Sequence, residues 1–288
     1  MGDFKVLRLV TQGELSWEVE TRYQQCYQLT RKTCKKIKDR VTVFQAPGGF
    51  LFDIFEIAEV KHWPDTDVSE FTSITEYVDK TLSGYFFDQE LKSALKEKAD
   101  FFTFGVDVFD VNNDKCFSHV ELVATYDTKL GKVSCWTGKS YPTEDQKRDF
   151  INCPSLETHC QRLNGIRVLV LGCHDLNMFS PRSRASIAPG TSKEIVINQM
   201  QKLCDQFKPQ VVLQHPHATD SANIWNAGWA GVRKFLPEVK TYSSAIHYFN
   251  TFGGEPRQPL TTVLNRTATR DVQNIVFTCF EDGGIDLV

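Results

Sequence analysis

The run Leu171-Gly172-Cys173-His174-Asp175-Leu176 sets a thiol just past Arg167 to Gly172 (RVLVLG), the strongest buried-strand signal in the chain. Layered α/β folds present reactive groups at such strand ends. A cysteine there becomes a nucleophile when a nearby cation or helix N-terminus lowers its pKa, and is otherwise a small core residue. A second run, Trp136-Thr137-Gly138-Lys139-Ser140-Tyr141-Pro142-Thr143-Glu144, holds a lysine directly after a strand-like stretch. Its ammonium could face a developing oxyanion or steady a thiolate; alone, it is an ordinary surface lysine. A third run, His215-Pro216-His217-Ala218-Thr219-Asp220, offers two imidazoles and a carboxylate, donors competent for zinc or another divalent metal. Its spacing differs from the H-x-H-x-D-H of metallo-β-lactamase-like hydrolases and the last histidine is absent. Asp220 or Ser221 capping a following helix explains part of the run without a metal.

The elements that must position these residues follow from periodicity. Phe4 to Val10 reads as a strand, Glu18 to Lys38 as a helix and Val41 to Gln45 as a second strand ending at Ala46-Pro47-Gly48-Gly49, the βαβ signature of a layered α/β fold. Helices are expected near Ser69 to Ser83 and Asp88 to Lys98, then an aromatic, β-branched strand from Asp100 to Phe109. Val120 to Tyr126 and Gly131 to Trp136 flank a polar turn and predict an antiparallel hairpin, which would make the sheet mixed. After Arg167 to Gly172 come a helix at Ser192 to Phe207, a strand at Gln210 to Gln214, a helix at Ser221 to Phe235 and a strand at Tyr242 to Tyr248. Val263 to Leu264 and Asn274 to Cys279 are expected to close the sheet. The stripe Ile224, Trp225, Trp229, Val232, Phe235 and Leu236 predicts one buried helix face. With no repeat and no long linker, one domain over 1–288 is expected.

The 288 residues are 41% hydrophobic and 24% charged, a globular composition. Thirty-three basic residues against 36 acidic ones leave a net charge of -3, and the basic cluster Arg31, Lys32, Lys35, Lys36, Lys38 and Arg40 suits a solvated helix C-terminus better than nucleic acid. Nine cysteines without a C-x-x-C pair favour reduced thiols. The N-terminus runs straight into a strand without a signal-peptide pattern, and no window approaches the roughly 20 apolar residues of a membrane span. A cytoplasmic location, with neither membrane nor nucleic-acid partners, is the expectation. No Walker or dinucleotide fingerprint is present, so no cofactor is expected.

Taken together and in this order, the Lys139 and Cys173 runs resemble the nitrilase, or carbon–nitrogen hydrolase, superfamily. In that family a hairpin strand leads into a lysine loop with a proline soon after, and a buried strand then delivers Cys-(aromatic)-Asp, matched by Cys173-His174-Asp175. The apolar strand before His215 and the helix with Trp225 match its next βα unit, and the resemblance covers the chain from Phe4 to about Asn250. It implies an α-β-β-α sandwich with two mixed sheets, a Cys173 thioester intermediate on a small-molecule substrate, Lys139 on the oxyanion, no metal, and a homodimer packed through helical faces.

One departure stands out: the family's general base is a glutamate directly after a proline at the end of the second strand, where this chain has Pro47 followed by Gly48. A neutral thiol attacks poorly, so another base is needed. Glu144 on the Lys139 loop is assigned that work; Asp107, His174, His215 and His217 are alternatives. Two other readings compete: a catalytically silent binding protein, and a metal-dependent hydrolase built on His215, His217 and Asp220.

Overall fold

The computed structural model describes residues 4–55, 61–110, 119–144, 146, 147 and 149–288. The strands, in chain order, are β1 (Val6–Gln12), β2 (Val41–Gln45), β3 (Leu51–Phe55), β4 (Ala99–Asp110), β5 (His119–Asp127), β6 (Lys132–Gly138), β7 (Cys160–Leu163), β8 (Ile166–Leu171), β9 (Val211–Gln214), β10 (Thr241–Ser244), β11 (Ile246–Tyr248), β12 (Gln273–Cys279) and β13 (Ile285–Leu287). The helices are α1 (Val19–Lys36), α2 (Val68–Tyr85), α3 (Gln89–Lys98), α4 (Pro181–Ser186), α5 (Ser192–Phe207), α6 (Asn226–Phe235) and α7 (Leu260–Arg266).

Two mixed sheets result. The larger runs β13-β12-β1-β2-β4-β5-β6, with β11 on β1 and β3 on β4; the smaller runs β10-β9-β8-β7. Alternation along the strands sorts side chains into three apolar layers. Val6, Val43, Phe101 and Val123 of the larger sheet meet Val168, Val170, Val211 and Leu213 of the smaller one between the sheets. Leu7, Leu9, Phe44, Phe102 and Phe104 point the other way, onto Cys26 and Leu29 of α1, Val78 of α2 and Leu91 of α3. Leu169, Leu171 and Val212 pack outward against Met200 of α5 and Trp229 of α6. The architecture is an α-β-β-α sandwich.

The helix ends obey local chemistry. Asp67 caps α2 in a reciprocal capping box with Glu70, and Lys35 and Lys36 occupy the last turn of α1, where cations offset the dipole. Of the rest of that basic cluster, Arg31 and Arg40 join surface ion pairs, with Glu90 and with Asp100, and Lys32 donates to the Ile285 carbonyl. The eight described cysteines are free thiols, and Cys116 lies outside the described residues. Among the described residues no helix is long and apolar enough to cross a membrane.

Three expectations change. The strand expected at Tyr242 to Tyr248 is two strands in different sheets: β10 pairs with β9, then β11 pairs with β1 after Ala245 bonds to the Gln214 carbonyl. Val263 and Leu264, expected in a strand, belong to α7, where Leu260, Val263 and Leu264 form a helical i, i+3, i+4 set. The helix expected from Ser221 begins at Asn226, because Ser221 caps a separate 3-10 turn over Ala222–Ile224; Ile224 is exposed, while Trp225 and Trp229 are buried as expected.

Candidate active site

β8 ends at Leu171, and the turn that follows is pressed against the Lys139 loop. A Cβ on Gly172 would lie 2.7 Å from the Lys139 Cα, so only glycine permits the approach. Asp175, fully buried two residues past Cys173, accepts from the backbone amides of Gly172 (2.9 Å), Ser140 (2.8 Å) and Tyr141 (2.9 Å). One carboxylate thereby clamps the cysteine turn to the lysine loop. Gln214 at the end of β9 donates to the Cys173 carbonyl at 2.8 Å, and Gln45 at the end of β2 donates to the Gln214 carbonyl at 2.9 Å. These buried amides tie the turn to both sheets.

Lys139 is wholly buried. Its Nζ donates to Glu121 Oε1 at 2.7 Å and to Gln146 Oε1, and lies 5.0 Å from the centre of the Phe150 ring. Glu121 enters because β5 pairs with β6, setting it beside the residue after Gly138, and its carbonyl takes the Lys139 amide at 2.9 Å. Burial works against charge on Glu121, but Lys139 and then His217 hold it well below the usual carboxylate range.

His217 completes the cluster from the turn after β9. Its Nε2 lies 2.8 Å from both carboxylate oxygens of Asp107, its Nδ1 is 3.4 Å from Glu121 Oε2, and its backbone amide donates to Cys173 Sγ at 3.5 Å. The Cys173 sulfur, a Glu121 carboxylate oxygen and a ring nitrogen of His217 all lie within 4.8 Å of one another. Burial would lower the His217 pKa, yet Asp107, Glu121 and Cys173 together raise it well above the ordinary imidazole value. Burial likewise opposes ionisation of Cys173, but His174 and His217 outweigh it and bring the thiol down to about 6. A thiolate beside an imidazolium is the arrangement these fields favour at neutral pH.

The backbone ahead of His217 fills the place of a side chain at Gly48. A Cβ there would sit 2.3 Å from the His215 carbonyl oxygen, and the Gly48 amide donates to the Pro216 carbonyl at 3.1 Å. Gly49, at φ +54°, leaves room for the Asp107 and His217 side chains, since its Cβ would come within 2.7 Å of both.

Glu144 sits elsewhere. Its side chain is 72% exposed and its oxygens bind Lys147 and, at 2.8 Å, Lys193; those hydrogen bonds bring it down to about 2. With His174, Tyr141 and Asn177 it lines a cavity of about 550 Å³ beside the cysteine turn. A smaller cavity of about 50 Å³ opens onto Asp107 and His217.

The set His215, His217 and Asp220 does not assemble. Burial pushes His215 down to about 4 and its ring meets Thr103 Oγ1 (3.1 Å) and the Leu171 carbonyl (3.3 Å), while Asp220 forms a two-pronged pair with Arg257 at 2.7 Å. Glu121 was missed from sequence, although a lone carboxylate inside the apolar run Val120-Glu121-Leu122-Val123 is a visible signal.

No family model matches the chain, and no curated protein matches it. Among solved structures, an amidase from Nesterenkonia sp. is similar with a TM-score of 0.49 at 12% identity, over 86% of this chain and 77% of that one. A variant of the Nesterenkonia AN1 amidase, from the nitrilase superfamily, gives 0.47 at 11% identity over 85% and 78%. A glutamine-dependent NAD+ synthetase from Acinetobacter baumannii gives 0.46 at 15% over 85% of this chain and 39% of that one.

Proposed function

We propose that this chain is a divergent carbon–nitrogen hydrolase or acyl transferase in which Cys173 is the nucleophile and His217, oriented by Asp107, replaces the glutamate absent at Gly48. The observation that carries the reading is the His217 imidazole held between Asp107 and Glu121 with its backbone amide on the Cys173 sulfur.

The steps balance on these groups. The Cys173 thiolate attacks the carbonyl carbon of a small amide, forming a C–S bond while the oxygen takes the negative charge. Lys139 Nζ, with two of its three donors on Glu121 and Gln146, has a third without a hydrogen-bond partner among the described residues to offer that oxygen. The C–N bond then breaks as the His217 proton passes to the leaving nitrogen. Neutral His217 accepts a proton from water, or from an acceptor alcohol or amine, as that oxygen or nitrogen attacks the thioester. Collapse returns the thiolate.

Support for a small substrate comes from the cavity beside His174, of about 550 Å³ and bounded by Tyr141, Asn177 and Lys193. The test is mass spectrometry of the intact protein after exposure to simple amides, nitriles and fluoroacetamide, with Cys173→Ala and His217→Gln alongside. An acyl or carboxamidomethyl adduct on Cys173, with turnover lost in both variants, is expected. Absence of any Cys173 adduct across the panel would overturn the reading in favour of a silent binding protein.

A further inference from the structure

We propose that Glu121, Cys173 and His217 also form a site for one zinc-class divalent cation, whose binding reversibly closes the nucleophile. Coordination itself is independent of the catalytic reading; the inhibitory consequence rests on it.

The donors are of the right kind. Thiolate, imidazole and carboxylate together favour zinc and its borderline neighbours over magnesium or calcium, which prefer oxygen alone. The spacing agrees. Tetrahedral zinc bonds of about 2.0–2.2 Å to nitrogen and oxygen imply an edge of about 3.4 Å between them, and His217 Nδ1 stands 3.4 Å from Glu121 Oε2. The Cys173 sulfur completes a triangle whose atoms lie within 4.8 Å of one another, which small side-chain rotations would tighten.

A second observation points the same way. Glu121 Oε2 is buried and accepts no hydrogen bond among the described residues, with His217 Nδ1 facing it at 3.4 Å, although the other oxygen of that carboxylate holds both Lys139 and Gln146. Once Nδ1 gives up its proton that buried oxygen is left without a donor, which is costly, and a cation at the triangle's centre would satisfy both atoms. Asp107 adds the supporting shell: by taking Nε2 on both its oxygens it fixes that nitrogen as the N–H and turns Nδ1 toward Glu121 and Cys173. A histidine ligand braced through its other nitrogen by a carboxylate is the usual support of a zinc site. Coordination needs the Nδ1 lone pair and the thiolate, so any proton held there leaves to solvent as the ion enters. Three protein ligands leave the fourth position of a tetrahedral ion open.

The experiment titrates the metal-free full chain with Co²⁺ and follows thiolate-to-cobalt charge transfer and the d–d bands. Expected are intense tetrahedral bands saturating at one equivalent and displaced by Zn²⁺. The charge-transfer band should vanish in Cys173→Ser and in wild-type protein carrying iodoacetamide-alkylated Cys173, and affinity should fall at least tenfold in Glu121→Gln. No band at saturating cobalt, or one surviving both the serine variant and alkylation, overturns the proposal. Peptide mapping of alkylation without metal keeps the two readings apart. A Cys173-dependent cobalt band with no preferential Cys173 labelling would leave the metal site standing and remove the catalytic assignment.

Discussion

Asp107 and Glu121 stand directly opposite one another in the antiparallel ladder of β4 and β5, and the His217 ring spans the two carboxylates. Like charges facing across a sheet repel. An imidazolium between them reverses the sign of that interaction, which is why His217 is raised well above its ordinary pKa. A raised folded-state pKa contributes stability that is full below about 6.5 and is lost as pH climbs through the folded value. The site thus still holds its positive charge at neutral pH, where the thiolate forms.

The first prediction is a pH profile. With Cys173 lowered to about 6, its rate of iodoacetamide alkylation should rise through that pH and level off near neutrality. Both His174 and His217 lower the thiol, so each glutamine variant should shift the midpoint upward. His217→Gln should also cut the rate at pH 7 by about tenfold or more, as the thiolate fraction falls. A midpoint unmoved by either variant would show that the imidazoles do not set the thiolate.

How far this site was legible varies with distance along the chain. The helix at Ser192–Phe207 and the strand at Val41–Gln45 lie where periodicity placed them, because each pattern is local. Cys173 and Lys139 were singled out by their strand-end positions taken together with an order along the chain that resembles the nitrilase superfamily. His217 was one of several candidates: the contact with Asp107 spans 110 positions and joins the turn after β9 to the middle of β4, which no local pattern records. The same limit explains the strand at Tyr242 to Tyr248, whose residues look uniform although they change sheet at Ala245. A period of two reveals which residues share a face, not which strand lies beside them.

Gly48 yields the second prediction. Any Cβ at this position meets backbone, the His215 carbonyl at 2.3 Å, and backbone cannot rotate away. Gly48→Ala should destabilise the protein by about 1–3 kcal/mol, the usual range for overpacking, and should slow Cys173 alkylation by displacing His217. Gly48→Glu should be worse, and bring no gain in amide turnover over wild type, because the His215-Pro216 segment fills the space its side chain would need. Thermal unfolding beside the alkylation rate checks both, and a well-folded, more active Gly48→Glu protein would refute the substitution of His217 for the glutamate.

A third prediction concerns Lys139 and Glu121. Removing one partner of a buried ion pair strands the other, at a cost of about 3–5 kcal/mol, whereas removing both is far milder. Lys139→Met should therefore unfold at much lower denaturant than Lys139→Met/Glu121→Gln. Glu121 is depressed when folded, so its stabilising contribution is full above about 4.5 and fades as pH falls through the folded value. Lys139→Met should weaken that acid dependence. Equal stability of the single and double variants would mean that the pair contributes no net coupling.

The last prediction separates two carboxylates that sequence alone left as rivals. Glu144 is exposed and engaged by Lys147 and Lys193, whereas Asp107 is buried and holds both oxygens 2.8 Å from His217. Glu144→Gln should then change Cys173 alkylation less than twofold at pH 7, and alter only the apparent affinity of substrates crossing the cavity it lines. Asp107→Asn keeps the shape but withdraws the charge and offers an amide in place of one acceptor. The His217 pKa should fall, the thiol pKa should rise with it, and the loss should appear in kcat rather than KM, because Asp107 acts through His217 and does not line the larger cavity. Asp107→Glu restores a carboxylate on a longer arm and should recover part of that loss. If Glu144→Gln instead abolished turnover while Asp107→Asn left kcat and both pH midpoints unchanged, the base would have to be sought on the lysine loop.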